Sequence, residues 1–325
     1  MLFLLLFIGQ NAWGQSETTI NSGSFNDGSI TWTLSTVNGS TSNLHLNIEG
    51  SGDMPDFTRY NLCPWDDYAS YIKTVTISDD ITKISGGAFF GSSITSIDIP
   101  TKCTEIGARA FYKSKLKEIY IPASVTTIGA NAFDYCSSLS LIHYDGSCTS
   151  STGIAFTGVA SKGKFIQKGT SSYAQVPSGW ERYSHGEKCS GGAWVAECGS
   201  KLFVYSKTPG AVVDFSDGIG DYSGANPWRV DCDKYTSLEI NRNIASFAKE
   251  EFLVTNNSDV AKMGYTNIKT ITIENGEANN YLFVDSYGAL YDKAKTTSIL
   301  AFLSARAGRA LSSFCSTVAR VVSSL

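Results

Sequence analysis

The residues that most often perform catalysis are sparse in this chain and follow no catalytic pattern. The three histidines, His45, His143 and His185, lie far apart in the sequence, and no H-E-x-x-H zinc motif is present. The sequence also lacks a G-x-S-x-G nucleophile motif, a phosphate-binding loop and a G-x-G-x-x-G turn. We therefore expect no enzymatic activity and no cofactor.

One group of carboxylates has the residue type, but not the spacing, of a calcium site. Asp53, Asp56, Asp66 and Asp67 lie close together in sequence. A calcium loop of the EF-hand kind spaces its acidic residues as D-x-D-x-D-G, and these residues do not. We interpret them as turn-forming and strand-capping residues, and we predict no metal site.

The composition narrows the class of partner. The formal net charge is −4, so there is no basic excess of the kind that binds nucleic acid. Hydrophobic residues make up 42% of the chain and charged residues 17%, which is enough apolar surface for a folded core. We expect a folded protein that does not bind nucleic acid.

The first fifteen residues, MLFLLLFIGQNAWGQ, resemble an export signal. The apolar run from Leu2 to Ile8 is too short to span a bilayer. Ala12 and Gly14 form the small-x-small pattern that signal peptidase accepts, with cleavage before Gln15. The alternative is a buried strand at the start of a domain. No later segment reaches the ~18 apolar residues of a membrane helix, so we predict a protein that is secreted or held at the cell surface.

An internal repeat dominates the middle of the chain. Four segments align without gaps over most of their length, and their starts are 22, 22 and 23 residues apart: Ile72, Ile94, Leu116 and Leu139. An Ala-Phe pair recurs in step, at Ala88-Phe89, Ala110-Phe111, Ala132-Phe133 and Ala155-Phe156. A period of this length predicts a stack of similar supersecondary units.

Each unit opens with alternating apolar residues, which predicts a short strand with one face inward. Pro100 and Pro122 end two of these strands, because proline cannot donate to a ladder. One unit cannot bury its apolar side alone, so stacked units must share a core and align their strands in a parallel sheet. The sequence thus predicts a β-rich (α/β) solenoid, a right-handed stack of short parallel strands. Phe111 and Phe133 are then core residues rather than a binding site.

The same register constrains the eight cysteines, which are compatible with disulfides if the chain is exported. Cys103 falls in the slot of Ile81 and Val125, and Cys148 falls in that slot two units on. Two stacked positions are roughly 10 Å apart, whereas a disulfide needs Cα atoms within about 7 Å. We therefore predict no Cys103–Cys148 bond. Cys136 shares the slot of Ser92 and Ser114, and Cys189–Cys198 is the best candidate pair.

The consensus of the units, I-x-x-I-x-I-P-x-x-V-x-x-I-G-x-x-A-F, resembles the BspA-like leucine-rich repeats (LRR-5 type) of secreted and surface proteins of Bacteroidetes. The stretch before the first repeat resembles the β-rich lead-in of those proteins. Residues 163–183 resemble the strand and short helix that close their arrays. The resemblance covers roughly residues 28–302, and it implies a leucine-rich-repeat fold with a role in adhesion or host contact.

The second half of the chain reads as a diverged copy of the first. An offset of 163 residues maps Val75 to Leu238, Ile81 to Ile244 and Phe89 to Phe252. It also maps Pro64-Trp65 to Pro227-Trp228. These tryptophans would suit glycan stacking, but both copies place them beside the first strand, so we interpret them as plugs over the end of the stack.

The final segment, residues 303–325, loses the repeat and becomes rich in Ala, Ser and Arg. A truncated or frameshifted reading frame and a short terminal helix both remain open. The predicted organisation is a signal peptide (1–14), a lead-in (28–71), repeats with a closing cap (72–183), a second lead-in and repeat module (193–302) and this atypical tail (303–325).

The outward positions of the repeat strands form the predicted ligand-binding face. They carry a mixed set of polar side chains with one tyrosine, a residue favoured in contact surfaces. An ordinary solvated sheet is the equal alternative. The candidate binding residues are Lys73, Thr95, Asp98, Lys117, Glu118, Tyr120 and His143.

The sequence leaves three candidate functions to compare. The first is a non-catalytic protein that binds an extracellular protein or glycan. The second is a structural or accessory part of a surface assembly without a ligand of its own. The third is an enzyme, which would need a catalytic constellation that the sequence does not contain.

Overall fold

The computed structural model describes residues 8–10, 16–57, 63–145, 150–151, 156–167, 176–188, 192–213, 234–247, 270–273, 282–284, 290–292 and 298–300. The chain divides into two compact units, residues 1–186 and 187–325. Across the described residues the regular structure is β-strand with two short 3-10 turns, Asn26–Gly28 and Asp66–Tyr68, and no α-helix. No helix in this described part has the length and hydropathy to cross a bilayer.

The first unit contains fourteen strands among its described residues. They are β1 (Ile8–Gln10), β2 (Ser16–Phe25), β3 (Ile30–Val37), β4 (Ser40–Gly50), β5 (Gly52–Asp53), β6 (Ile72–Ile77), β7 (Ile81–Ile84), β8 (Glu105–Ile106), β9 (Glu118–Ile121), β10 (Thr127–Ile128), β11 (Leu141–Tyr144), β12 (Ser150–Ser151), β13 (Lys164–Gln167) and β14 (Glu181–Lys188).

An antiparallel sheet leads into the repeats. Strands β1 to β4 pair antiparallel in chain order, and β4 then pairs parallel with β6, the first repeat strand. Buried side chains alternate with more accessible ones over residues 30–34 of β3 and 44–49 of β4, as expected when one face covers a core. Strand β1 lies within the predicted signal peptide. The cleavage site before Gln15 lies outside the described residues, so the signal peptide stays a prediction.

The repeats form two parallel ladders. One joins β9, β11, β13 and β14, and the other joins β5, β7, β8, β10 and β12. Partners advance by one repeat length: Glu105 faces Thr127, and Thr127 faces Ser150. The registers predicted from the 22-residue period are therefore the observed ones. Successive units place equivalent residues side by side, which is how a stack of repeats shares one core.

Equivalent apolar residues fill that core. The rings of Phe89, Phe111, Phe133 and Phe156 stack in sequence with centroid separations of 5.3 to 5.4 Å. Their exposures are 5% or less, which places the Ala-Phe phenylalanines in the core as predicted. Ala155 lies outside the described residues.

The glycine of each Ile-Gly step allows the backbones of neighbouring units to approach. A Cβ atom on Gly129 would lie 2.7 Å from the Cα of Ala108, and one on Gly107 would lie 2.7 Å from the carbonyl carbon of Ser85. Real Cβ atoms do not come so close to backbone, so the step requires glycine at these two positions.

The second unit contains nine described strands. They are β15 (Trp194–Cys198), β16 (Lys201–Tyr205), β17 (Ala211–Val213), β18 (Ser237–Ile240), β19 (Ile244–Phe247), β20 (Thr270–Ile273), β21 (Leu282–Val284), β22 (Leu290–Asp292) and β23 (Ser298–Leu300).

The pairing order of the second unit repeats that of the first. Strands β15 and β16 are antiparallel, as β3 and β4 are; β16 pairs parallel with β18, as β4 does with β6; and β17 pairs parallel with β19, as β5 does with β7. Leu238 and Ile244, the residues mapped from Val75 and Ile81, are fully buried. Strands β21 to β23 pair antiparallel in chain order. Phe252, Pro227-Trp228, the helix predicted for the closing cap and the tail lie outside the described residues.

Candidate binding surfaces

The seven residues predicted to bind ligand all lie on or beside the repeat strands, but they differ in exposure. Four are exposed, namely Lys73, Thr95, Asp98 and Lys117. Glu118 and Tyr120 are half-buried. The predicted face therefore reaches solvent mainly over the first three repeats.

His143 departs from the prediction. The alternation of β11 places it on the outward face, yet its relative exposure is 2%. Leu141 on the same face is also 2% exposed, and Ile166 beside His143 on β13 is fully buried. The alternative of an ordinary solvated sheet does not hold at His143, because this end of the outward face is covered. A ligand on the exposed face does not reach His143 without rearrangement.

The register nevertheless brings the predicted aromatic and the histidine together. Tyr120 on β9 faces His143 on β11, and their ring centroids are 5.6 Å apart. The Nε2 atom of His143 lies 2.7 Å from Oδ1 of Asp145. The carboxylate fixes the orientation of the imidazole, which then forms one wall for Tyr120. The group contains no nucleophile positioned by the histidine.

Trp65 closes the first end of the repeat core. It is 1% exposed, and its indole N–H donates to the carbonyl of Ala88 at 2.8 Å. Edge-on contacts join it to Phe25, Trp32 and Phe57, with centroid separations of 5.6 to 6.1 Å. A ring enclosed in this way cannot offer a face to a sugar. Trp65 is thus the structural plug that the sequence indicated.

The acidic residues near the first repeat have local structural partners. Oδ1 of Asp53 accepts from the Thr82 hydroxyl at 2.6 Å. Asp56 accepts from the Gly86 N–H at 2.8 Å and pairs with the Lys83 ammonium at 2.9 Å. Asp66 begins a 3-10 turn. Among the described residues no group of three or more metal-ligating side chains converges.

The three described cysteines of the first unit, Cys63, Cys103 and Cys136, are buried thiols. Cys103 is fully buried in the slot of Ile81 and Val125 and carries a free thiol, the small core role expected for it. Cys136 is also free, and its Sγ lies 3.2 Å from Oγ of Ser114 in the preceding unit. Burial raises the pKa of the Cys136 thiol to about 11. Because the thiolate is the reactive form, this thiol is inert in the folded state.

The remaining predicted cysteine pair is not tested by the structure. Cys148 and Cys189 lie outside the described residues, so the Cys189–Cys198 pairing stays a prediction.

A second surface appears along the turns that follow the Ile-Gly steps. The N–H of each turn donates to a carbonyl in the next unit, as from Gly91 to Tyr112, Lys113 to Asp134 and Tyr135 to Thr157, at 2.6 to 2.9 Å. The stacked turns therefore form a ladder of their own. We call the side chains projecting from it, those of Phe90, Arg109, Tyr112, Lys113, Lys115 and Tyr135, the turn ridge.

Aromatic rings contact one another along the turn ridge. Phe90 and Tyr112 stack with centroids 5.2 Å apart, and Tyr112 meets Tyr135 edge-on at 5.3 Å. Phe90 is 41% exposed and Tyr135 is 49% exposed. The Lys113 ammonium lies 5.6 Å from the Tyr112 ring centroid, within cation–π range.

The turn ridge also carries an unusual backbone. Lys113 and Tyr135 have φ of 59° and 60°, and the corresponding residues of the neighbouring units are Gly91 and Gly158. Arg109, with φ 56°, likewise corresponds to Gly87. A left-handed conformation costs a residue with a Cβ roughly 1–2 kcal/mol. Large side chains therefore stand where glycine fits better.

The turn ridge is not among the sites predicted from the sequence. The usable signal was the aromatic that directly follows the Ala-Phe pair in two units, Phe90 and Tyr112, exactly one 22-residue period apart. Tyr135 is one residue out of that step, which hid the pattern. The ring of Tyr135 contacts that of Tyr112 only because consecutive repeats stack in the folded chain.

Parallel ladders in repeat register, a shared phenylalanine core and glycines where neighbouring units approach closely are the features of a leucine-rich repeat region. Residues 67–172, 106 of the 325 residues, match the family described as "BspA type Leucine rich repeat region" in six copies. The four units that the 22-residue period defines, from Ile72 onward, lie within this segment. The chain therefore carries a leucine-rich repeat region of the BspA type.

Solved leucine-rich-repeat structures resemble the chain at low sequence identity. A leucine-rich repeat protein from Eubacterium ventriosum is 16% identical over 89% of this chain and 52% of its own, with a TM-score of 0.32. The pneumococcal vaccine antigen PcpA is 14% identical over 84% of this chain and 54% of its own, with a TM-score of 0.24.

A leucine rich cell surface protein from Faecalibacterium prausnitzii is 16% identical over 69% of this chain and 72% of its own, with a TM-score of 0.26. The chain spans about half the length of the first two of these proteins. No curated protein matches the sequence.

Proposed function

We propose that the chain is a non-catalytic binding protein that acts outside the cell, secreted or at the cell surface, where its repeats engage an extracellular protein or glycan in adhesion or host contact. The observation that carries the proposal is the outward face of the first repeats. There, Lys73, Asp98 and Lys117 are exposed on neighbouring units while the opposite side of each strand is buried.

The geometry of this face suits contact rather than catalysis. Its exposed charges have both signs, from Lys73, Lys117 and Asp98, and Tyr120 supplies a half-buried ring at its margin. Such a mixed surface gives specificity through complementary charges. The BspA-type repeats support the proposal, as does the repeat stack, which we infer to wind as a right-handed solenoid.

The test is to probe the purified full chain against arrays of matrix proteins and glycans. The decisive variant replaces Lys73, Glu118 and Tyr120 with alanine. The matched control replaces Thr101 and Lys102, which are exposed in the second repeat and lie outside the outward strand positions. We expect the triple variant alone to lose binding. Equal binding by the triple variant and the control would exclude the outward face as the contact surface.

A structural role within a surface assembly is the second candidate. The burial of Leu141 and His143 favours it, because that part of the outward face is closed to a free ligand. Co-purification of the chain with fixed stoichiometric partners, together with an absence of array binding, would establish this role in place of adhesion.

A further inference from the structure

We propose that the turn ridge is a binding site for an acidic polysaccharide, separate from the outward sheet face and independent of it. The ridge unites exposed aromatic rings with basic side chains in one column of stacked turns. Phe90 and Tyr135 are among the few large apolar residues of the described chain that are more than a third exposed.

The charge of the ridge selects an anionic partner. Arg109, Lys113 and Lys115 are all exposed. The described turn segments 85–93, 107–115 and 129–138 contain a single carboxylate, that of Asp134. Asp134 is 2% exposed and accepts hydrogen bonds from the Thr157 N–H and the Asn131 side chain. The solvent-facing charge of these turns is therefore entirely positive.

The arrangement of the rings points in the same direction. Phe90 and Tyr112 are nearly parallel, with an interplanar angle of 10°, and Phe90 keeps 41% of its surface exposed to solvent. The exposed ring surface of Phe90 and Tyr135 suits contact with the C–H groups of sugars. The exposed basic side chains of the same turns suit the carboxylates or sulfates of an acidic polysaccharide.

The backbone conformation indicates which side chains of the turn ridge contact the ligand. Lys113 and Tyr135 share a left-handed slot with Gly91 and Gly158, and Arg109 shares one with Gly87. Glycine is therefore compatible with the fold in both slots. Side chains retained in a strained conformation are found most often where they perform a function. Three side chains of the ridge thus occupy left-handed positions that glycine fills in neighbouring units.

This pattern supplies variants that separate binding from folding. Lys113→Gly and Tyr135→Gly place the residue found at the same slot of neighbouring units. Relief of the left-handed backbone strain offsets the contacts that each side chain loses, so both variants should fold and melt close to the temperature of the parent chain. The full chain is titrated with heparin as the sulfated probe and polygalacturonate as the carboxylated probe. Dextran is the neutral glycan and polyglutamate the acidic peptide.

We expect the parent chain to bind at least one acidic glycan and not dextran, with affinity falling as salt is added. Each glycine variant should weaken that binding about tenfold, and Tyr135→Phe should retain it, because the ring remains. The triple variant of the outward sheet face should bind the acidic glycan normally, so failure of the sheet-face proposal and failure of this one are distinguishable.

Three results would overturn the assignment. The first is that neither acidic glycan binds the parent chain at low salt. The second is that the double variant Lys113→Gly, Tyr135→Gly binds an acidic glycan as tightly as the parent chain does. The third is that polyglutamate binds as tightly as the acidic glycans. The last result would assign the ridge to acidic peptides.

Discussion

The rings of Phe111 and Phe133 lie face to face, with centroids 5.3 Å apart and planes within 4° of parallel. They belong to consecutive repeats, and both are completely buried. The contact therefore joins one unit to the next through the core. Its continuity from Phe89 to Phe156 means that a change in one ring is felt by two neighbouring units.

Phe111→Ala should destabilise the chain strongly. Truncation of a buried phenylalanine leaves a cavity and typically costs about 3–5 kcal/mol. Urea denaturation of the full chain measures the change in the free energy of unfolding. The matched control is Phe90→Ala, because Phe90 is the same residue type in the equivalent turn of the preceding repeat and is 41% exposed. It should cost less than about 1 kcal/mol, and equal losses would contradict the core assignment of Phe111.

Gly129→Ala should be destabilising although it adds only one methyl group. That group would lie 2.7 Å from the Cα of Ala108, and backbone cannot move aside as a flexible side chain can. Overpacking of this kind costs about 1–3 kcal/mol or more. Thermal melting compares the variant with Ala123→Ser, a conservative change at an exposed position of the same repeat. An unchanged melting temperature for Gly129→Ala would show that the units do not approach as described.

Cys136 should resist thiol reagents until the chain unfolds. Burial raises its pKa from an ordinary value of 9.0 to about 11, so almost no thiolate exists near pH 8. Labelling with iodoacetamide, followed by peptide mass spectrometry, should modify Cys136 in urea and not in buffer. Rapid labelling in buffer would mean that the thiol is not buried.

The same shift gives stability a dependence on alkaline pH. The folded chain holds the thiol proton more tightly than the unfolded chain does, so the contribution is fully present below pH 9 and is lost as pH rises towards 11. Cys136→Ser places the serine of the equivalent positions 92 and 114 in this slot. It should lessen the loss of stability above pH 9, as measured by urea denaturation across the pH range.

Asp56 should make the chain sensitive to acid. Burial acts to raise the pKa of Asp56, but the Gly86 N–H and the Lys83 ammonium outweigh it, and the pKa lies below its ordinary value. The stability that this carboxylate supplies is present above the unfolded value of 3.8 and is lost as pH falls through the folded value.

Asp56→Ala should cost about 1 kcal/mol at pH 7, because the carboxylate is partly exposed, and close to nothing at pH 2. Asp56→Asn keeps an acceptor for Gly86 and should lose less. Denaturation midpoints at pH 7 and pH 2 measure both variants. A loss for Asp56→Ala that is as large at pH 2 as at pH 7 would show that the charge is not responsible.

Much of the fold follows from the repeat alone. Because Glu105, Thr127 and Ser150 are separated by one repeat length each, stacking places them side by side, and the parallel registers are predictable without further information. The core role of Phe111 follows from the same period. Asp56 and Trp65 were also interpreted correctly as structural, since neither has the spacing or context of a binding site.

The exposure of individual side chains is a different matter. Strand alternation puts His143 on the outward face, and a sequence contains nothing to say that this part of the face is covered. The turn ridge was missed for a related reason, since Tyr135 is out of step with Phe90 and Tyr112 along the chain and joins them only in space.

The sequence by itself determined the period, the strand registers, the core residues and the repeat family, because each depends on residues that recur at fixed spacing. Only the tertiary structure decided which polar and aromatic side chains reach solvent, because exposure depends on everything that packs around a residue. His143, which strand alternation predicts to be a contact residue, is buried for that reason, whereas Tyr135, which the repeat pattern does not single out, is exposed.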